Sequence, residues 1–231
     1  SFPGFIDGIA DRLGPATSYH VGVVTTDAYE YNVPMCQSLG GLTVQTGGNL
    51  SSDEACGPYA AGKSFMTVDD DLASAFSCAA QVGIDGAGIE RPMDALTGAL
   101  TDPAGANSQC NEGFLRDDAL LVVVLITDEE DEGDSLGDPS QWYQTVLDAK
   151  HGQGDDVVVL SLLGHEKPND CIPSQWTGMM GAEIAPRLIA FTEQFEHGLV
   201  GDVCAADYAP FFDAAVDGIA DACGIVPVPA E

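Results

Sequence analysis

The sequence predicts an α/β chain: a doubly wound, mostly parallel sheet flanked by helices, built as one domain over residues 1–231, with a long loop fastened by disulfides. Three observations predict it. The runs ALLVVVLITD and DDVVVLSLLG are apolar at almost every position, as strands are when both faces are covered. Segments of helical periodicity alternate with such runs, and alternation implies right-handed crossovers between parallel strands. At 231 residues and 45% hydrophobic content, the chain can bury one substantial core.

In chain order, Phe2, Phe5, Ile6, Ile9 and Leu13 recur at helical spacing before the stop Gly14-Pro15, so residues 2–13 read as an amphipathic helix. YHVGVVTTD, residues 19–27, is β-branched and reads as a buried strand ending in the polar tip Thr25, Thr26 and Asp27. Residues 29–67 are rich in Gly, Ser, Asn and Pro, form a long loop, and need fastening. TVDDDLASAFSCAAQVG opens on acids suited to a helix N-terminus and places Leu72, Ala75, Phe76 and Ala79 on one face. The turn GIDGAG leads to a helix over ERPMDALTGAL, with Pro92 in its first turn. After ALLVVVLITD come a helix from Pro139, the strand DDVVVLSLLG, a helix over about 183–196, a short edge strand in GLVGDVCA, and a closing helix in YAPFFDAAVDGIADACG.

Seven Lys plus Arg stand against 37 Asp plus Glu, a formal net charge of −30. Such a field repels phosphate backbones and anionic headgroups, so nucleic acid and bare membrane are poor partners, and divalent cations or basic proteins better ones. No apolar run is long enough to span a bilayer. Cysteines 36, 56, 78, 110, 171, 204 and 223 are dispersed without zinc-type spacing and point to structural disulfides in an oxidising compartment: secreted, periplasmic or cell-surface. Proximity in sequence pairs Cys36 with Cys56, Cys204 with Cys223 and Cys78 with Cys110. Cys171 is then left free and buried, or bonded to sequence outside this chain.

Ligands of doubly wound sheets bind beyond the carboxyl ends of the strands. Two predicted strands end there in acids, one at Asp27 and one at Asp128 followed by Glu129, Glu130 and Asp131, and carboxylates suit Mg²⁺ or Ca²⁺. Asp128 stands at the strand mouth, whereas Glu130, Asp131, Glu132 and Asp134 read as a solvated loop. An EF-hand is excluded, because Pro139 stands where that loop requires its final Glu. Nucleophile elbows, zincin motifs and phosphate loops are absent from the sequence. The four histidines are scattered, with His20 read as a satisfied core or edge residue, and Trp142 and Trp176 as packing residues.

YHVGVVTTD, VGIDGAGIERPMDAL and LLVVVLITDEED together resemble the von Willebrand factor A family, in its secreted bacterial branch. The resemblance implies a doubly wound, Rossmann-like sheet and a metal site made by three loops: an Asp-x-Ser-x-Ser after the first strand, a Thr in a second loop, and an Asp after the fourth strand. Asp128 matches the last. Asp85 lies where the Thr loop is expected, with Ile84 and Asp85 in place of the hydroxyl, and Asp-x-Ser-x-Ser does not occur in these residues. The family pattern therefore implies a further central strand, on an upstream segment, a separate fragment or another chain.

The function expected from this reading is an extracellular adhesion or binding module. It engages a protein ligand through Mg²⁺ or Ca²⁺ held by Asp128, Asp85, Asp27 and Glu129, with Thr127 shaping the loop. Two alternatives stand beside it: a structural subunit of a surface assembly with a vestigial metal site, whose partner supplies the missing strand, and a secreted metal-dependent hydrolase using Asp27 and Asp128.

Overall fold

The computed structural model describes residues 18–101, 105–165, 169, 171 and 181–223. They form two compact units, one holding residues 18–116 with Asp134–Leu136, the other Asp117–Gly133 and the chain from Gly137 onward. The predicted helix over residues 2–13 and Trp176 lie outside the described residues.

The first unit carries little regular structure. Its helices are α1 (Leu72–Ala80) and α2 (Pro92–Thr101), both as the periodicity predicts. Asp71 caps α1, accepting from the Ser74 N–H and hydroxyl. The core gathers Cys36, Leu42, Val44, Tyr59, Phe65, Met66, Ala79 and Cys110, and Val21, Val23, Val24 and Phe114 pack on it. Burial pushes the Tyr59 phenol up to about 12, and its hydroxyl donates to the Thr43 carbonyl.

The expected strand over residues 19–27 is not formed. Val21 makes a single antiparallel bridge with Met66, and the Val23 carbonyl accepts from Thr43 N–H. A β-branched run scores as a strand wherever it packs against a core, but a ladder also needs a continuous neighbour. The Gly- and Ser-rich loop opposite offers only isolated contacts. Much of that loop is organised by Asn32, which is buried: its amide donates to the carbonyls of Cys36 and Leu42, and its oxygen accepts from the N–H groups of Val33, Val44 and Gln45.

All three expected cysteine pairings are corrected. Cys36 bonds Cys110, Cys56 bonds Cys78, and Cys171 bonds Cys204, leaving Cys223 as the free thiol. The long loop is fastened as anticipated, but to later elements instead of to itself: to the segment after α2 through Cys36, and to α1 through Cys56. Sequence proximity misleads because packing of the core, and not chain distance, decides which sulfurs meet.

The second unit is a three-stranded parallel sheet flanked by helices, with strands β1 (Leu121–Ile126), β2 (Val157–Leu163) and β3 (His197–Asp202) in the order β1-β2-β3. The register sets Val123 beside Val159 and Leu160 beside Leu199. All seven residues of β2 are buried, which is why its sequence lacks alternation. Helices α3 (Pro139–Ala149), α4 (Pro186–Thr192) and α5 (Ala209–Ala222) follow the three strands in turn. On one face, the buried Ser161 hydroxyl meets Thr192 of α4 at 2.7 Å. On the other, a Cβ at Gly201 would collide with the Phe211 ring of α5 and come within 3.0 Å of Leu162, so that glycine admits the helix.

Helix α3 is capped by Asp138, which accepts from Ser140 and Gln141 N–H, and it packs on α4 through Trp142 against Phe191 and Tyr143 against Phe195. The helix expected over 183–196 is confined to Pro186–Thr192: proline sets its start, and turns at Gln194 and Phe195 lead directly into β3. Lys150, buried after α3, donates to the carbonyls of Asp117 and Ala119 and holds the entry to β1. The edge position expected for GLVGDVCA is that of β3.

Candidate functional site

Of the five residues singled out as metal ligands, Thr127, Asp128 and Glu129 belong to the sheet unit, and Asp27 and Asp85 to the cysteine-bridged unit.

At the carboxyl end of β1 the chain leaves the ladder with Thr127 N–H still donating to the Leu162 carbonyl. The Thr127 hydroxyl then donates to the Glu129 carbonyl and accepts from the Glu129 N–H, so this side chain shapes the turn. Asp128 is exposed. Its backbone carbonyl is fixed by the Glu183 N–H at 2.8 Å, while its carboxylate meets no donor among the described residues. Glu129 is also exposed.

The next two acids are not the solvated loop that the sequence suggests. Glu130 is half-buried and its carboxylate accepts from the Arg187 N–H at the start of α4; burial nevertheless raises its carboxyl above the ordinary range. Asp131 is fully buried. The Arg187 guanidinium donates to its backbone carbonyl, lies 3.5 Å from its carboxylate, reaches the Gly137 carbonyl, and stacks 4.6 Å from the centre of the Trp142 ring. One cation thus closes the acidic loop onto α3 and α4. Glu132 and Asp134 are exposed, in keeping with the solvated reading.

No family model matches the chain. Comparison with curated proteins and with solved structures likewise returns no match.

In the other unit, Asp27 and Asp85 line one cleft of about 280 Å³ together with Ala28, Tyr29, Glu30, Tyr31, Gly86 and Ala87. Asp27 accepts from the Ala87 N–H at 2.7 Å, and the Thr26 hydroxyl donates to Glu90, so the segment is tied to the turn carrying Asp85. Asp85 accepts from the backbone N–H and side-chain amide of Asn49, bonds that hold its carboxyl below the ordinary range. Tyr29 is buried and donates to the Val82 carbonyl.

Among the described residues, no three or more His, Cys, Asp or Glu side chains gather so as to hold a metal ion. The end of β1 offers a hard cation one strong donor in Asp128, since the Thr127 hydroxyl is engaged in the turn. A hard cation there would have to draw its other oxygens from water or from a ligand. Neither composition nor spacing marks Arg187, Asn49 or the tyrosine pair as organisers. His20 does pack as read: Nδ1 lies 2.8 Å from the Phe114 carbonyl and the ring 4.2 Å from Phe65.

Proposed function

We propose that this chain is an extracellular, disulfide-stapled binding module of the von Willebrand factor A type, doubly wound, that engages a protein ligand through Mg²⁺ or Ca²⁺ at Asp128. The observation that carries the reading is a carboxylate at the mouth of a parallel strand, exposed, on a pinned backbone, and unused by the protein's own donors among the described residues. Three disulfides suit an oxidising compartment. No described helix is long and apolar enough to cross a membrane. A carboxylate of the ligand completes the coordination and is drawn by the metal against the protein's negative field.

Scanning calorimetry with Ca²⁺ or Mg²⁺, against NaCl of matched ionic strength, tests this. At about ten times the dissociation constant, specific binding adds about 1.4 kcal/mol, a rise of about 3–6 °C in Tm for a chain of this size. Asp128→Asn should abolish the rise. An equal response to NaCl, or an undiminished response in the variant, reduces the effect to charge screening and removes the site.

A second reading is favoured by the outer edge of β1. Because Thr127, and with it residues 123 and 125, direct their backbone groups toward β2, those of Val122, Val124 and Ile126 point away. Among the described residues they have no backbone partner. An open apolar edge accepts a strand, so a structural subunit completed by a partner's strand is the reading to adopt if the cation response is absent.

A further inference from the structure

The cysteine-bridged unit presents a second surface, and it does not depend on a cation at Asp128. Two of the most exposed large apolar side chains described are Leu50, at 73%, and Ile84, at 70%. They stand on neighbouring loops whose backbones are joined: Ile84 N–H donates to the Asn49 carbonyl, Ser51 bridges Val82, and the Gln81 amide donates to the Leu50 carbonyl. The Cys56–Cys78 disulfide secures the same pair of segments. Leu50 itself sits at φ +62°, a left-handed conformation uncommon for a residue with a side chain. The loops are therefore fixed with their apolar side chains in water, which costs solvation without contributing to the core.

Directly continuous with this apolar pair is the acidic cleft, since Asp85 follows Ile84 and is bonded to Asn49, the neighbour of Leu50. Its lining includes Tyr29 and Tyr31, whose rings lie 5.7 Å apart, and the acids Asp27, Glu30 and Asp85, with no Lys, Arg or His. Gly48, at φ +86°, lets the backbone pass close to two of these residues, because a Cβ there would meet the Tyr31 ring at 3.1 Å and Asp85 at 2.9 Å. At about 280 Å³ the cleft is below the usual range for a drug-sized ligand and of a size for one long side chain. Aromatic faces beside carboxylates favour an ammonium or guanidinium group.

We propose that this surface docks a basic protein partner, Leu50 and Ile84 seating in an apolar depression of it while one of its lysines or arginines enters the cleft between Tyr31, Asp27 and Asp85. Charge complementarity selects the occupant. A second copy of a chain with net charge −30 is repelled, as is an anionic bilayer, whereas a basic surface is attracted over distance and anchored by the apolar pair.

Nitrogen-15 NMR of the full, oxidised chain tests the proposal with an amidated peptide alternating pairs of leucine and lysine. Shifts are expected to centre on Gly48, Leu50, Ile84, Asp85 and Gly86. Affinity should fall about tenfold in the Leu50→Ser/Ile84→Ser variant and again in Asp85→Asn, in the range of interface anchors. Peptides with serine for leucine, or glutamine for lysine, should each bind more weakly than the parent. If the double variant disturbs resonances outside the two loops, Ile84→Ser alone serves in its place. Shifts spread over the acidic surface, unchanged affinity in the variants, equal binding of the glutamine peptide, or no binding would each overturn the proposal. So would matching shifts from phosphatidylcholine vesicles, which would reassign the apolar pair to a lipid surface.

Discussion

Replacing Cys36 and Cys110 together by alanine is expected to lower the stability of the cysteine-bridged unit by about 4.5 kcal/mol, enough to leave it largely unfolded at physiological temperature. The two sulfurs are separated by 74 residues, and closing so long a loop removes about that much entropy from the unfolded chain in the chain-entropy treatment. The same treatment gives about 3.4 kcal/mol for the 22-residue separation of Cys56 and Cys78. Cys36 and Cys110 are both buried in the unit's core as well, so their removal also loosens packing around Leu42 and Met66. Little else can compensate, because two α-helices, one short 3-10 turn at Pro34–Cys36 and isolated bridges are the regular structure among the described residues of this unit. Urea unfolding measures the loss. Peptide mapping under non-reducing conditions checks the pairing behind it: a single Cys36→Ala exchange should free the thiol of Cys110, and a freed Cys56 instead would restore the pairing that sequence proximity suggests.

That contrast marks where the sequence was legible. β1, β2 and the helices α1, α2, α3 and α5 could be read because each announces itself locally, through a continuous apolar run, a 3.6-residue period, or a proline or aspartate at its start. Residues 19–27 carry the same local signal as a strand and yet form only one bridge, since a ladder depends on what the loop opposite can offer. Disulfide connectivity is not a local property at all. Asn32 has the composition of an ordinary loop residue, and its role as the hub of the long loop rests on carbonyl and N–H groups up to 13 positions away. At the candidate site, the exposed position of Asp128 at the strand mouth was readable from the strand itself. The clustering of Asp27 with Asp85 beside two tyrosines was not, because the segments that meet there are 60 residues apart.

The acidic loop provides the sharpest case, and Arg187→Met its test. A run of acids reads as a solvated surface, but Asp131 is fully buried, and the cation that accompanies it lies 56 residues further along the chain. Removing the guanidinium takes away the cation that lies 3.5 Å from this buried carboxylate, and breaking a buried ion pair costs about 3–5 kcal/mol. Two smaller losses accompany it: the stack on Trp142, worth about 1–2 kcal/mol when partly desolvated, and the bonds to the carbonyls of Asp131 and Gly137. These contributions separate in a double-mutant cycle. If the lost ion pair dominates, adding Asp131→Asn to Arg187→Met should recover most of the lost stability, because a neutral amide tolerates burial better than a carboxylate. If the stack and the backbone bonds dominate, the second exchange should recover little, and the loop is held by Arg187 as a packing and capping residue. The charge is expected to win, since Asp131 is fully buried and water cannot take the place of the missing guanidinium.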